Sequence, residues 1–186
     1  MKVRMFVVIV AAWLGGGGLA GMHEAIAQDQ AAPTAGPPPS PCAKEEFRQF
    51  DFWVGDWEVR GADGKIAGEN RISNEEHGCA IVEHWRSASG GSGQSLNYFD
   101  PAANRWKQEW IGLGIILHME GGLRNGAMIM EGPLQYIGQD RVTRLRGIWT
   151  PLVDGRVRQQ FEESADDGKT WSPWFDGYYT RRPHSQ

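Results

Sequence analysis

Cysteine is scarce: the 186 residues hold two, Cys42 and Cys79. No Cys-x-x-Cys pair exists for redox chemistry, and two thiols alone are too few ligands for a structural zinc. Neither His-Glu-x-x-His nor His-x-His occurs, so His77, His84 and His118 are read as ordinary strand and turn residues. A lone haem or metal ligand at His118 is the one alternative left open, and no cofactor is expected. Gly-x-Ser-x-Gly is missing, which removes the common serine-hydrolase elbow, and there is no phosphate loop. Helical periodicity is absent after Gln49, where no run exceeds two turns. The formal charge of −4 is mildly acidic and offers no electrostatic attraction for nucleic acid or anionic lipid.

The N-terminus has the layout of an export signal. Lys2 and Arg4 give a basic start, Met5 to Met22 is uncharged and apolar, and Ala25-Ile26-Ala27 is a small-x-small cleavage site. Four glycines, Gly15 to Gly18, weaken that run as a permanent membrane helix, so an uncleaved anchor is the lesser reading. The expected mature chain begins near Gln28 and is exported, to a bacterial periplasm. Its formal charge becomes −5, because Lys2 and Arg4 leave together with Glu24. Residues 28–42 are rich in proline and alanine with no apolar period, which predicts a disordered or extended tether. In an oxidising compartment Cys42 and Cys79 are expected to pair.

From residue 43 to 183 the pattern reads as one domain of strands and turns after a short helical piece, Ala43 to Gln49. Phe50 to Val59 alternates and is read as the first strand, with Phe50, Phe52 and Val54 on one face. Ile66 to Glu75, Cys79 to Ser87, Gln94 to Phe99 and Arg105 to Ile111 follow. Ile115 to Glu120, Ala127 to Glu131, Arg141 to Trp149, Arg156 to Ser164 and Trp174 to Arg181 bring the number to about ten. Asn125-Gly126, Asp154-Gly155 and Asp167-Gly168 mark hairpin turns. Short strands joined by tight turns without crossover helices make an all-β antiparallel meander. Closure into an up-and-down β-barrel of 8–10 strands removes the exposed edges, and a two-sheet sandwich is the competing architecture.

Eight of the nine tryptophans lie beyond the leader, which suits a barrel interior or an apolar pocket. The alternation also sends polar residues inward. Glu83 shares a face with Ile81 and Trp85, and Gln108 lies between Trp106 and Trp110. Asn97 lies between Ser95 and Phe99, and Gln159 runs with Val157 and Phe161. Polar groups inside a barrel need partners: each other, water or a ligand. Arg144 is a candidate counter-charge for Glu83. The run Ser164-Ala165-Asp166-Asp167-Gly168-Lys169-Thr170-Trp171 fits the Asp-box pattern, in which the aspartate caps turn N–H groups and glycine takes a positive φ. A single copy reads as a stabilised hairpin built on Asp166, Gly168 and Trp171, not as a propeller blade.

The motifs Phe50-Asp51-Phe52-Trp53-Val54-Gly55-Asp56-Trp57, Gly78-Cys79-Ala80-Ile81-Val82-Glu83-His84-Trp85 and Ser95-Leu96-Asn97-Tyr98-Phe99-Asp100 resemble an uncharacterised family of exported bacterial proteins. Trp106-Lys107-Gln108-Glu109-Trp110, Arg156-Val157-Arg158-Gln159, the Asp-box turn and Phe175-Asp176-Gly177-Tyr178-Tyr179 extend the likeness over Cys42 to Arg182. That family is a domain of unknown function with a lipocalin-like (calycin) barrel. The resemblance implies a fold and an export route and brings no activity. Calycins typically close with a last-strand arginine across the first-strand tryptophan, which here implies Arg181 or Arg182 over Trp57. Nitrobindins, which are haem barrels, share Gly-x-Trp, but the glycine run that follows it there is replaced here by Glu58-Val59-Arg60, which speaks against haem.

Three readings follow. In the first, Trp85, Trp106, Trp110 and Phe161 line a cavity for a small apolar or aromatic molecule, while Glu83, Asn97, Gln108 and Gln159 orient a polar group on it. In the second, the barrel is an enzyme of decarboxylase, isomerase or cyclase type using Glu83 or His84 as acid or base. In the third, the indoles fill the barrel and it serves structure or interaction. The expected partner is a small molecule; nucleic acid is not expected, nor is a membrane once the leader is removed.

Overall fold

The structure, a computed structural model, describes residues 39–183. The leader and residues 28–38 of the expected tether lie outside the described residues. Ten strands follow one another: β1 Gly55–Gly61, β2 Ile66–Glu75, β3 Ala80–Ser87, β4 Ser92–Asp100, β5 Arg105–Gly112, β6 Ile115–Arg124, β7 Ala127–Tyr136, β8 Val142–Pro151, β9 Val157–Ser164 and β10 Ser172–Arg181. Each pairs antiparallel with the next in sequence, and β1 pairs with β10, so the sheet is a closed up-and-down barrel and not a sandwich. Trp57 lies opposite Arg181 in that closing pair. The Arg181 guanidinium sits 4.4 Å from the Trp57 ring centroid, a cation–π contact worth about 0.5–2 kcal/mol. Arg182 instead pairs with Glu69 at 2.8 Å.

The first strand starts later than its alternation implies. Asp51–Trp53 is a 3₁₀ turn, and extended chain begins at Gly55. In a 3₁₀ turn residues three apart share a face, so Phe50 and Trp53 stack, with ring centroids 4.8 Å apart. Their pairing suits the closed end of the barrel. There Phe50 also meets Trp149 and Trp106 edge-on, and the Trp57 indole donates to the Trp53 carbonyl at 2.9 Å. A second 3₁₀ turn, Glu45–Arg48, completes the plug. Phe47 packs on Phe99, and the Trp106 indole N–H is shared between the Glu46 carbonyl and Gln49 Oε1, each 3.2 Å away. The Cys42–Cys79 disulfide ties the plug to the start of β3.

β6 and β7 run further than expected, to Arg124 and Tyr136. β7 carries on through Gly132-Pro133 because Leu134 keeps the inward parity, while Pro133 is exposed and faces Arg144. The β6–β7 ladder has no pair between Leu117/Leu134 and Glu120/Glu131, where proline has no N–H to give. The Asp-box turn joins β9 to β10. Asp166 accepts hydrogen bonds from the Thr170 N–H (2.8 Å), the Thr170 hydroxyl (2.7 Å) and the Ser164 hydroxyl (2.8 Å). These donors hold its carboxyl down at about 2. Gly168 takes φ 87°, and the Trp171 indole donates to its carbonyl while the Arg146 guanidinium covers the ring.

The disulfide spans 37 residues, a loop for which closure entropy predicts about 3–4 kcal/mol. Reduction, or the double substitution Cys42→Ser/Cys79→Ser, is expected to lower the urea-unfolding free energy by about that amount while far-UV circular dichroism stays that of a barrel. An unfolding curve unchanged by reduction contradicts the bridge's role in pinning the plug.

Candidate functional site

In an up-and-down barrel the hairpin turns alternate between the two ends. The plug covers the end holding the β2–β3, β4–β5, β6–β7 and β8–β9 turns, as the Phe47–Phe99 and Glu46–Trp106 contacts fix. A cavity of about 280 Å³ lies towards the other end. Its aromatic wall is Trp85, Trp110, Phe161, Trp174 and Phe175. The aliphatic wall is Leu113, Ile115, Leu117 and Leu145, and Glu83, Gln108, Gln159 and Tyr179 complete the lining.

The layering follows from strand parity. Trp85, Trp110 and Phe161 each lie two residues nearer the open end than Glu83, Gln108 and Gln159 on the same strand. On β10 Phe175 stands four residues nearer than Tyr179. An aromatic layer therefore sits over a polar belt, and below the belt come Trp106 and the plug.

The belt is one continuous hydrogen-bonded chain through β5, β4, β3, β2, β10 and β9. Gln108 Nε2 donates to Asn97 Oδ1 at 2.6 Å, and Asn97 Nδ2 donates to Ser95 Oγ at 2.9 Å and to the Ile81 carbonyl at 3.0 Å. Ser95 Oγ donates to Glu83 Oε2 at 2.6 Å. From the other side Asn70 Nδ2 donates to Glu83 Oε1 at 2.6 Å and to the Tyr179 hydroxyl at 3.3 Å. Tyr179 in turn donates to Gln159 Oε1. Donors converge on Glu83 from both directions, and none of them is cationic.

Glu83 is 3% exposed. Desolvation pushes its carboxyl up to about 7, and the hydrogen bonds from Ser95 and Asn70 only partly oppose this. Burial, followed by the nearby Glu83 charge, drives the Tyr179 phenol well above its ordinary range, so it stays neutral. Two buried polar atoms in this region carry no hydrogen bond: the Trp110 indole N–H in the cavity wall and Asn70 Oδ1 in the belt.

Six of the eight residues assigned to ligand contact come together on this cavity: Glu83, Trp85, Gln108, Trp110, Gln159 and Phe161. Asn97 and Trp106 do not reach it. Asn97 is fully buried behind Gln108, and Trp106 belongs to the plug. Arg144 is not the partner of Glu83: on β8 Thr143 and Leu145 point inward, so Arg144 points out, to Glu131 at 3.0 Å and Asp167 at 3.3 Å. His84 faces outward for the same reason of parity and cannot act as acid or base inside the barrel. His118 is exposed and meets Glu109 on the outer face, which removes it as an interior haem or metal ligand. His77 sits exposed in a 3₁₀ turn with φ 57°. Asn70, Ser95, Tyr179, Trp174 and Phe175 belong to the belt or the cavity wall without having been singled out. Phe175 and Tyr179 share the odd-numbered parity of β10, a signal that was present in the sequence.

No protein-family model matches the chain, and no curated protein matches it. Among the described residues no three His, Cys, Asp or Glu side chains cluster as metal ligands, and no helix is long and apolar enough to cross a membrane.

The raised Glu83 carboxyl has a definite sign in stability. Between about pH 4.5 and 7 the unfolded chain gives up this proton while the folded barrel keeps it, so folding weakens as pH rises and levels off above about 7. The contribution is on the order of 3 kcal/mol. Urea unfolding of the wild type and Glu83→Gln across that range should show the difference moving in favour of the glutamine form by that order. A difference that does not change with pH contradicts the desolvated carboxyl.

Proposed function

We propose that the protein is an exported barrel that binds a small apolar or aromatic molecule in the cavity at its open end. The observation that carries this reading is the layering: aromatic side chains from β3, β5, β9 and β10 enclose a largely apolar hollow that Glu83, Gln108, Gln159 and Tyr179 of the belt also line. Flat walls supply contact area, and a few fixed polar groups orient the guest. A barrel filled by its own indoles is disfavoured, because Trp85, Trp110 and Trp174 stand around a hollow of about 280 Å³ and do not fill it.

Export is supported by the leader pattern of residues 1–27 and by the Cys42–Cys79 bridge, since disulfides persist in oxidising compartments. Membership of the exported calycin-like family is proposed on the motifs from Cys42 to Arg182 together with the Arg181–Trp57 closure.

Glu83 gives an enzymatic reading its one specific support, because a carboxyl near 7 is suited to passing a proton. Binding and catalysis share the cavity, so the first test addresses the cavity itself. A panel of apolar and aromatic compounds is expected to shift the tryptophan emission of the mature chain and to raise its melting temperature. Ala67→Phe, which fills the wall beside Trp85, should abolish both responses with the unliganded melting temperature held within a few degrees. Emission and melting temperature unmoved by the whole panel contradict the reading.

A further inference from the structure

We infer that the occupant of the cavity is an organic cation, an aliphatic ammonium or protonated nitrogen heterocycle carrying an aromatic or apolar body, with the Glu83 carboxylate as its counter-ion. This rests on the binding reading above and specifies the guest's chemistry.

Three features of the geometry point to it. Glu83 reaches the cavity, and no lysine, arginine or histidine lines it. An ionised carboxylate has about four acceptor positions, and Asn70 and Ser95 occupy one on each oxygen. Acceptor capacity therefore remains on the carboxylate of a residue that lines the hollow. The direction of the belt is the second feature. Gln108 donates to Asn97, Asn97 to Ser95 and Ser95 to Glu83, while Asn70 donates from the far side. Such a chain brings neutral donors to Glu83 from both sides, and no cation of the protein accompanies them. The third is the wall above it. Trp85 and Trp110 belong to the aromatic layer, and indole faces attract a desolvated cation.

The same arrangement discriminates against other guests. A carboxylate guest places two like charges in one dry site and forces a proton onto Glu83. A neutral guest gains the aromatic contact but leaves the buried charge unpaired.

The groups facing Glu83 are Asn70 from β2, Ser95 from β4 and, through Asn70, Tyr179 from β10. Only Tyr179 among them titrates, and its phenol stays neutral. Glu83 alone therefore sets the pH response. Below its midpoint, entry of the cation displaces the Glu83 proton, one cation bound for one proton released to solvent. Burial puts that midpoint at about 7.

Titration calorimetry with matched probes tests this: phenethylamine against phenethyl alcohol, naphthylmethylamine against naphthylmethanol, and phenylpropionate as the anion. Aliphatic amines stay protonated at both about pH 8 and about pH 6. At about pH 8 each amine is expected to bind at least about tenfold more tightly than its alcohol. From about pH 8 to about pH 6 amine affinity should fall about tenfold, with proton release, and alcohol affinity should not fall. Glu83→Gln should remove the amine's advantage over its alcohol and the proton release; the pH comparison on the wild type stands even where that variant folds poorly. An alcohol equal to its amine, or phenylpropionate binding best, overturns the cation while leaving the cavity a binding site. No binding of any probe overturns both.

Discussion

A carboxyl group sealed in a barrel without a cation beside it must be held by neutral donors, and the interior of this protein is arranged around that requirement. Asn70 and Ser95 supply the donors, and Asn97, Gln108, Tyr179 and Gln159 hold those two in place. The chain of bonds crosses six strands, so it ties the sheet together across its interior as well as along its ladders. Half-satisfied polar networks are costly in a low dielectric. Losing one link here therefore leaves its buried partner unpaired.

Closure of the sheet makes the requirement strict. With β1 paired to β10 there is no edge through which water enters between strands, and the Phe50–Trp53 stack with Trp106 and Trp149 blocks one end. The other end remains the approach to a hollow walled by aromatic rings. Desolvation of Glu83, the indole-rich wall and the plug are thus consequences of one construction. The plug seals, the belt holds a charge, and the aromatic layer offers a dry surface above it.

Much of this is legible in the sequence, because strand parity is a strong signal where a strand has one aromatic face. Trp106, Gln108 and Trp110 against Arg105, Lys107 and Glu109 fix β5 without ambiguity, and Ile81, Glu83 and Trp85 do the same for β3. The same parity, counted back from Trp149, places Arg144 outside. Asn70 was hidden because β2 carries polar residues on both faces, with Glu69 and Arg71 beside it. The turn at Asp51–Trp53 was hidden for another reason: over four residues a period of two and a period of three are nearly indistinguishable. Which inward residues meet the cavity is a question of height along the barrel. Height depends on shear and on the plug, and so Trp106 and Asn97, correctly read as inward, lie below the hollow.

The claim on which the rest hangs is that Glu83 titrates as a desolvated, charge-unpaired carboxyl. A carbon-13 NMR titration of glutamate side-chain carboxyls, with Glu83 assigned by its loss in Glu83→Gln, measures this directly. A midpoint of about 7 is expected. An ordinary midpoint near 4.5 contradicts it, because the group is then hydrated or already paired and the cavity holds no charge in need of a guest.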